Sequence, residues 1–253
     1  MGKFCLVDND RVEESNLSRI TGARYSDAQR GRAKVKVAKR IALLANRKAE
    51  VECIKDDVAK MRVAKKLTRC DYLFLAADSM RARLVFNAVV HQYLIPGVQL
   101  GSKIRAVANG ALDEVMTANR SVRPGDGCLW CNHLIDPKLL AEEAKTDDER
   151  KAQAYGVEEP NPSVITLNAV AAAHAVNDFL HNYLGLRPDQ REVMYEHFHF
   201  LRRRRELVKP RVDPDCSECS RAGLRYARGD LAELPCLQAD RSHMVPNDRP
   251  RPT

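Results

Sequence analysis

Apolar and polar positions change period several times along the first hundred or so residues of the chain. Phe4-Cys5-Leu6-Val7 is a short apolar run ending on Asp8, the pattern of a buried strand whose carboxyl end carries polar groups. A polar turn region follows to Arg30. Residues 31–46 then repeat at helical spacing: Val35, Ala38, Ile41, Ala42 and Ala45 share one face, while Lys34, Lys36, Lys39 and Arg40 leave the helix partly basic. A strand over 51–54, a helical stretch to Lys66, and a second apolar run from Tyr72 to Ala77 ending on Asp78 complete a strand–helix–strand rhythm. That rhythm predicts a parallel sheet.

A helix over 79–93 is stopped by Pro96-Gly97, and residues 97–100 and 104–107 read as further strands. Arg123-Pro124-Gly125-Asp126-Gly127 is a turn-rich break. Beyond it, residues 137–154 predict a charged helix, 163–183 a largely apolar one, and 194–207 a strand pair. After Arg221 the Pro/Arg/Asp-rich chain reads as a disordered basic tail. The expected organisation is α/β: a doubly wound, mainly parallel sheet over 1–125, a C-terminal half over 126–220, and a tail over 221–253.

Composition narrows the setting. A chain of 253 residues with 44% hydrophobic content can bury one substantial core. No stretch approaches the roughly 20 apolar residues of a membrane-spanning helix, and Asp8 and Asp10 come too early for a signal peptide. A cytoplasmic protein without a membrane partner is expected. The net charge of +8 is concentrated in Arg202-Arg203-Arg204-Arg205 and the tail, and reads as a solvated face, so nucleic acid is not the expected partner.

Four of the eight cysteines form two CxxC pairs, Cys128/Cys131 and Cys216/Cys219. Four thiolates in tetrahedral array suit a structural Zn²⁺ with no open position, and a cytosolic setting favours metal over disulfide. Cys5, Cys53 and Cys70 read as small buried hydrophobes, and Cys236 as an exposed tail thiol. His197 and His199 alternate with Phe198 and Phe200 and share one face of a strand, which could bind metal. With no third ligand at suitable spacing, a solvent-facing strand surface is expected there.

Asp8 and Asp78 both close predicted parallel strands, at the sheet edge where doubly wound folds bind nucleotides. The structural alternatives are a turn residue for Asp8 and a helix N-cap for Asp78. The segment Asp8-Asn9-Asp10-Arg11-Val12-Glu13-Glu14-Ser15-Asn16-Leu17-Ser18-Arg19 resembles the D-x-D-x-V-x-x-S-N-L-x-R signature of the ThiF/MoeB/HesA adenylyltransferases, among them the ubiquitin-activating enzymes. Gly31-Arg32-Ala33-Lys34 is similar to the family's G-x-x-K. Asp78, Arg83 and Asn87 match its D-x-x-x-x-R-x-x-x-N helix, and both CxxC pairs agree. The resemblance spans residues 4–220 and implies a Rossmann-like sheet whose C-terminal part is stapled by zinc.

By the same resemblance Asp8 would hold the ribose of ATP, Asn16, Arg19 and Lys34 its phosphates, and Asp78 Mg²⁺, with Arg19, Lys34 and Asp78 carrying catalysis. The implied reaction joins a C-terminal carboxylate to AMP and releases pyrophosphate. The implied partner is a ubiquitin-like or sulfur-carrier protein ending in Gly-Gly, met by a homodimer. Two departures matter. The family's Gly-rich loop, expected some tens of residues before Phe4, is not among these 253 residues; either the sequence is a shortened form, or the protein has lost a strand, a helix and much of its ATP site. A catalytically inactive, dimerising scaffold that recognises the modifier is the alternative reading. No cysteine occurs between Cys131 and Cys216, so a thioester step is not expected.

Overall fold

A computed structural model describes residues 2–107, 109–145, 163–186 and 194–237. Strand β1 (Lys3–Val7) pairs in parallel with β2 (Glu50–Ile54), Phe4 opposite Val51 and Leu6 opposite Cys53. The connection carries a single 3-10 turn (Glu14–Asn16), a short helix α1 (Tyr25–Gln29) and helix α2 (Lys34–Ala45). Helix α3 (Met61–Leu67) leads to β3 (Leu73–Leu75), and α4 (Met80–Tyr93) carries the chain to β4 (Gly97–Ala106), which is parallel to β3.

Parallel strand pairing is confined to these two pairs among the described residues, apart from an isolated bridge between Lys60 and Leu237. Residues 97–100 and 104–106, expected within separate strands, belong to one long strand, β4, after which the chain folds back through a tight turn closed by Val107 N–H donating to Ala111 C=O at 2.9 Å. So short a connection permits only an antiparallel neighbour, β5 (Leu112–Val122). Beyond β5, helix α5 (Pro137–Glu143) and helix α6 (Ile165–Tyr183) precede the expected strand pair, β6 (Tyr195–His199) and β7 (Arg204–Val208). Among the described residues β1–β2 forms one sheet and β3-β4-β5-β6-β7 another. The predicted helix beyond 145 falls largely outside the described residues.

The core gathers around α4, which is buried nearly all round. Val85, Phe86, Val89 and Val90 pack with Leu73, Leu75, Val122, Leu129 and Ile135. Full burial of each such side chain stabilises by about 1.5–3 kcal/mol. Gly97 is required where β4 starts, because a Cβ there would lie 2.7 Å from both Leu73 O and the Phe86 ring.

The chain does not leave the folded body at Arg221. Arg225 donates to Gln92 Oε1 and Glu233 O, both at 2.8 Å, while Gln92 donates to Gly229 O and Ala232 O at 2.6 Å. Leu234 enters the core and Leu237 N–H reaches Ala59 O at 2.8 Å. Residues 221–237 are thus a strap over α3 and α4, held because its backbone satisfies the buried amide of Gln92. Cys236, expected as an exposed tail thiol, packs half-buried against the core, and burial pushes its pKa up to about 11. Residues 238–253 lie outside the described residues. No helix among those described is long and apolar enough to cross a membrane.

Two buried titratable groups contribute to the acid response. His91 is fully buried, and desolvation holds its imidazole down at about 4. Asp27, 2% exposed, sits between Arg40 (2.6 Å) and Arg32 (2.8 Å), and chiefly the Arg40 hydrogen bond holds it at about 2. Both folded-state values lie below the ordinary ones, so each contribution is present above the ordinary pKa and is lost as pH falls through the depressed one. Stability should fall from pH 6.5 to about 4 through His91, by on the order of 3 kcal/mol, and again from 3.8 to about 2 through Asp27. Urea denaturation across this range checks it: His91→Gln should flatten the first step. Asp27→Asn, which leaves two arginines uncompensated, should cost about 2–3 kcal/mol at neutral pH.

Candidate active site and metal centre

The signature segment folds around the start of α2. Asp8 leaves β1 half-buried, and its carboxylate accepts from Asp10 N–H at 2.8 Å, turning the chain back. Desolvation raises the Asp8 pKa, with the Asp10 amide hydrogen bond and then Lys34 opposing. Val12 N–H donates to Arg32 O at 2.8 Å, Arg11 donates to Gly31 O at 2.7 Å, and Lys34 N–H reaches Asp10 O at 3.1 Å. Together these place the Lys34 ammonium 2.6 Å from the Asp10 carboxylate, at the first residue of the helix. Asp8, Asp10 and Lys34 therefore form one polar cluster at the carboxyl end of β1.

Asn16 and Arg19 are turned to local work. Asn16 is 6% exposed; its Oδ1 accepts from Glu13 N–H and its Nδ2 donates to Ser15 Oγ, both at 3.3 Å, while Arg19 donates to Ser15 O at 3.3 Å. Asp27 is not among the residues the sequence singles out, yet its pairs with Arg32 and Arg40 tie the whole turn region to α2. A lone acidic residue among arginines in a polar segment carries no spacing signal that reveals it.

Asp78 lies exposed just before α4, and it is Ser79 that caps the helix, accepting from Ala82 N–H at 3.2 Å. The N-cap alternative for Asp78 is thereby replaced. The next amides, of Met80 and Arg81, donate to the Glu143 carboxylate at 2.7 and 2.9 Å, so a carboxylate from α5 occupies the anion-accepting end of α4. Arg83 and Asn87, one and two turns on, face the CxxC segment: Arg83 donates to Leu134 O at 2.8 Å, and Asn87 Oδ1 accepts from Leu129 N–H at 2.9 Å. Nearby, Arg120 is held by Gln99 at 2.6 Å, and burial brings its pKa down to about 10, with Arg83 adding to the effect.

The two CxxC pairs do meet. Sulfur separations are 3.5 Å for Cys128–Cys131, 3.8 Å for Cys128–Cys216 and 3.6 Å for Cys131–Cys219, and all four sulfurs lie within 4.8 Å of one another. A tetrahedral site with bonds of about 2.3 Å has edges of about 3.8 Å, so the donor set fits Zn²⁺. Asn132 clamps the two knuckles, donating to Cys128 O and Arg211 O and accepting from Arg211 N–H at 2.7 Å. Gly127, at φ +96°, allows this approach, since a Cβ would lie 2.7 Å from Arg211 O. An open cleft of about 550 Å³ runs beside the knuckles between Trp130, His133, Asp215 and Glu218. It is not lined by Asp8, Asn16, Arg19, Lys34 or Asp78.

The sequence matches the ThiF family over residues 1–218. The chain belongs to the ThiF family. Among solved structures the fold is similar to that of E. coli MccB with ATP (TM-score 0.64, 20% identity), covering 87% of this chain and 59% of MccB. It is also similar to the Microcin C7 biosynthetic enzyme MccB in complex with N-formylated MccA (TM-score 0.61, 20% identity, 87% and 60% covered) and to PaaA (0.59, 17%, 83% and 65%). This ThiF-family chain thus spans about three fifths of the MccB chain it matches. No curated protein matches the sequence significantly.

Replacing a knuckle cysteine tests the metal centre. Cys128→Ser and Cys216→Ser should each abolish stoichiometric zinc in the purified chain, measured by elemental analysis, and lower the thermal midpoint. Cys53→Ser, outside the cluster, should leave the zinc content unchanged.

Proposed function

We propose that this chain is an ATP-dependent adenylyltransferase that activates the C-terminal carboxylate of a small protein or peptide, with a ubiquitin-like or sulfur-carrier protein ending in Gly-Gly as the first candidate. The observation that carries the reading is the Asp8/Asp10/Lys34 cluster at the carboxyl end of a parallel strand, in a ThiF-family chain. Nucleotides bind at this edge of doubly wound sheets. That solved MccB structures contain ATP or the peptide MccA supports extending the candidates to peptides.

In the proposed reaction a carboxylate oxygen attacks the α-phosphorus of ATP, a P–O bond to pyrophosphate breaks, and an acyl adenylate forms. The attacking group is already ionised, so no general base is required; the task is to bring one anion to another. Asp8 would accept hydrogen bonds from the ribose hydroxyls. The Lys34 ammonium, resting on Asp10, would transfer to the more highly charged triphosphate, and Arg19 would meet the phosphates beside it. Asn16 is assigned a phosphate contact too, though its present bonds give it first the task of shaping the turn. Asp78, an exposed carboxylate, fits the family's Mg²⁺ ligand; when bound, the ion neutralises developing charge on the phosphates. The four knuckle cysteines would hold a structural Zn²⁺, keeping the knuckles against α4. Dimerisation and a cytoplasmic setting complete the proposal.

The scaffold alternative draws on one feature: β1 and β3, whose ends carry Asp8 and Asp78, belong to separate sheets among the described residues. ATP–pyrophosphate exchange decides between them. With an accepted Gly-Gly protein or peptide, the chain should support exchange, reduced at least about 100-fold by Asp78→Ala or Lys34→Ala. Partner binding by calorimetry without any exchange would establish the scaffold instead.

A further inference from the structure

The sequence alone offers His197 and His199 no third ligand, and so predicts a solvent-facing strand surface. The fold supplies one. In the β6–β7 pair His197 lies directly opposite Glu206, and His199, two residues along β6, shares its face. A donor atom from each of His197, His199 and Glu206 lies within 4.8 Å of the other two, and His199 Nε2 is 3.3 Å from a Glu206 carboxylate oxygen. The Nε2 atoms of His197 and His199 are both buried from solvent and make no well-aligned hydrogen bond, His199 Nε2 having only its 3.3 Å contact with Glu206. Buried ring nitrogens without a well-aligned hydrogen bond cost free energy unless something is bound to them.

The surroundings suit a cation despite the basic strand. Arg204 takes the other Glu206 oxygen at 3.2 Å, which fixes the carboxylate and leaves its second oxygen turned to His199. Glu114, on β5, adds negative charge beside His199 and is itself held by Lys103 at 2.9 Å. Arg205 is engaged with Glu196, while Arg105 pairs with Asp113. A small cavity of about 50 Å³ opens at His199 between Glu114, Leu201 and Arg202, enough for one water molecule.

We propose that His197, His199 and Glu206 form a second metal site, distinct from the cysteine cluster, that binds a divalent cation of the zinc type and leaves a fourth position open to water. Two imidazoles and one carboxylate suit such borderline ions, with bonds of about 2.0–2.2 Å. Ligand atoms in a tetrahedral site would stand about 3.3 Å apart, so closing around the ion requires side-chain movements of about 1 Å or somewhat more, within the reach of rotamer adjustment.

The test uses the untagged 253-residue chain loaded with one equivalent of Zn²⁺ and then titrated with Co²⁺. One further equivalent should bind at micromolar concentration, giving visible ligand-field absorption without the near-ultraviolet charge-transfer band of cobalt–thiolate bonds. His199→Ala and Glu206→Gln should each weaken it at least about tenfold, with the thermal midpoint of the metal-free variants confirming folding. Glu206→Gln, nearly isosteric, decides the matter if the histidine variant does not fold. The proposal is overturned if no further cobalt binds below millimolar concentration, if a thiolate band accompanies binding, or if the folded variants bind as tightly as the parent.

Discussion

The polar side chains buried along helix α4 hold the first cysteine knuckle and the C-terminal strap against the core. Asn87, His91 and Gln92 are all but inaccessible to water, and each takes a partner from a segment downstream of the helix. Asn87 receives the amide of Leu129 in the first knuckle, His91 receives the amides of Gly125 at its ring and Ala227 at its carbonyl, and Gln92 holds the strap at Gly229 and Ala232. A buried donor or acceptor left unpaired costs about 1–3 kcal/mol, so these segments are bound to return to the helix. The apolar residues of α4 provide most of the burial energy; its polar residues provide the address.

That constraint connects the two halves of the molecule. The first cysteine pair stands on a turn pinned by Asn87 and Arg83, and Asn132 brings the second pair to it by its bonds to Arg211. Four sulfurs thus arrive at tetrahedral spacing from positions far apart in sequence. The family's D-x-x-x-x-R-x-x-x-N helix therefore has two kinds of member here: Asp78 is the residue of the proposed chemistry, whereas Arg83 and Asn87 hold the knuckles. In space, Arg83 and Asn87 form a structural handle beside the proposed site residue Asp78.

Much of the fold is legible in the sequence because period and punctuation are local properties. Helix α4 reads to within one residue of its observed start, and the β6–β7 pair shows through weak alternation. The cysteine cluster is legible because ligand spacing in CxxC leaves few options. What escapes is whatever depends on pairing at a distance. The antiparallel turn after β4 hinges on the short connection at 107–111, the ordering of the strap on the buried amide of Gln92, and the third ligand near His199 on the register between β6 and β7. Asp27 escapes for the same reason, since its meaning lies in Arg32 and Arg40 and not in its neighbours. In the candidate nucleotide site, the proximity of Asp10 to Lys34 is set by backbone bonds between Asp10, Val12 and the start of α2 that no spacing rule describes.

On the proposed reading, Lys34 at the end of β1, together with Arg19 and a Mg²⁺ held by Asp78, would let one anion attack another, and no acid–base pair is needed. The most direct test follows atoms. A partner whose C-terminal carboxylate carries heavy oxygen would be incubated with ATP, an amine or thiol acceptor and the chain, and the nucleotide products analysed by mass spectrometry. Attack at the α-phosphorus predicts one heavy oxygen in AMP and none in pyrophosphate. Label in inorganic phosphate with ADP as the nucleotide product would place the attack at the γ-phosphorus and contradict the account.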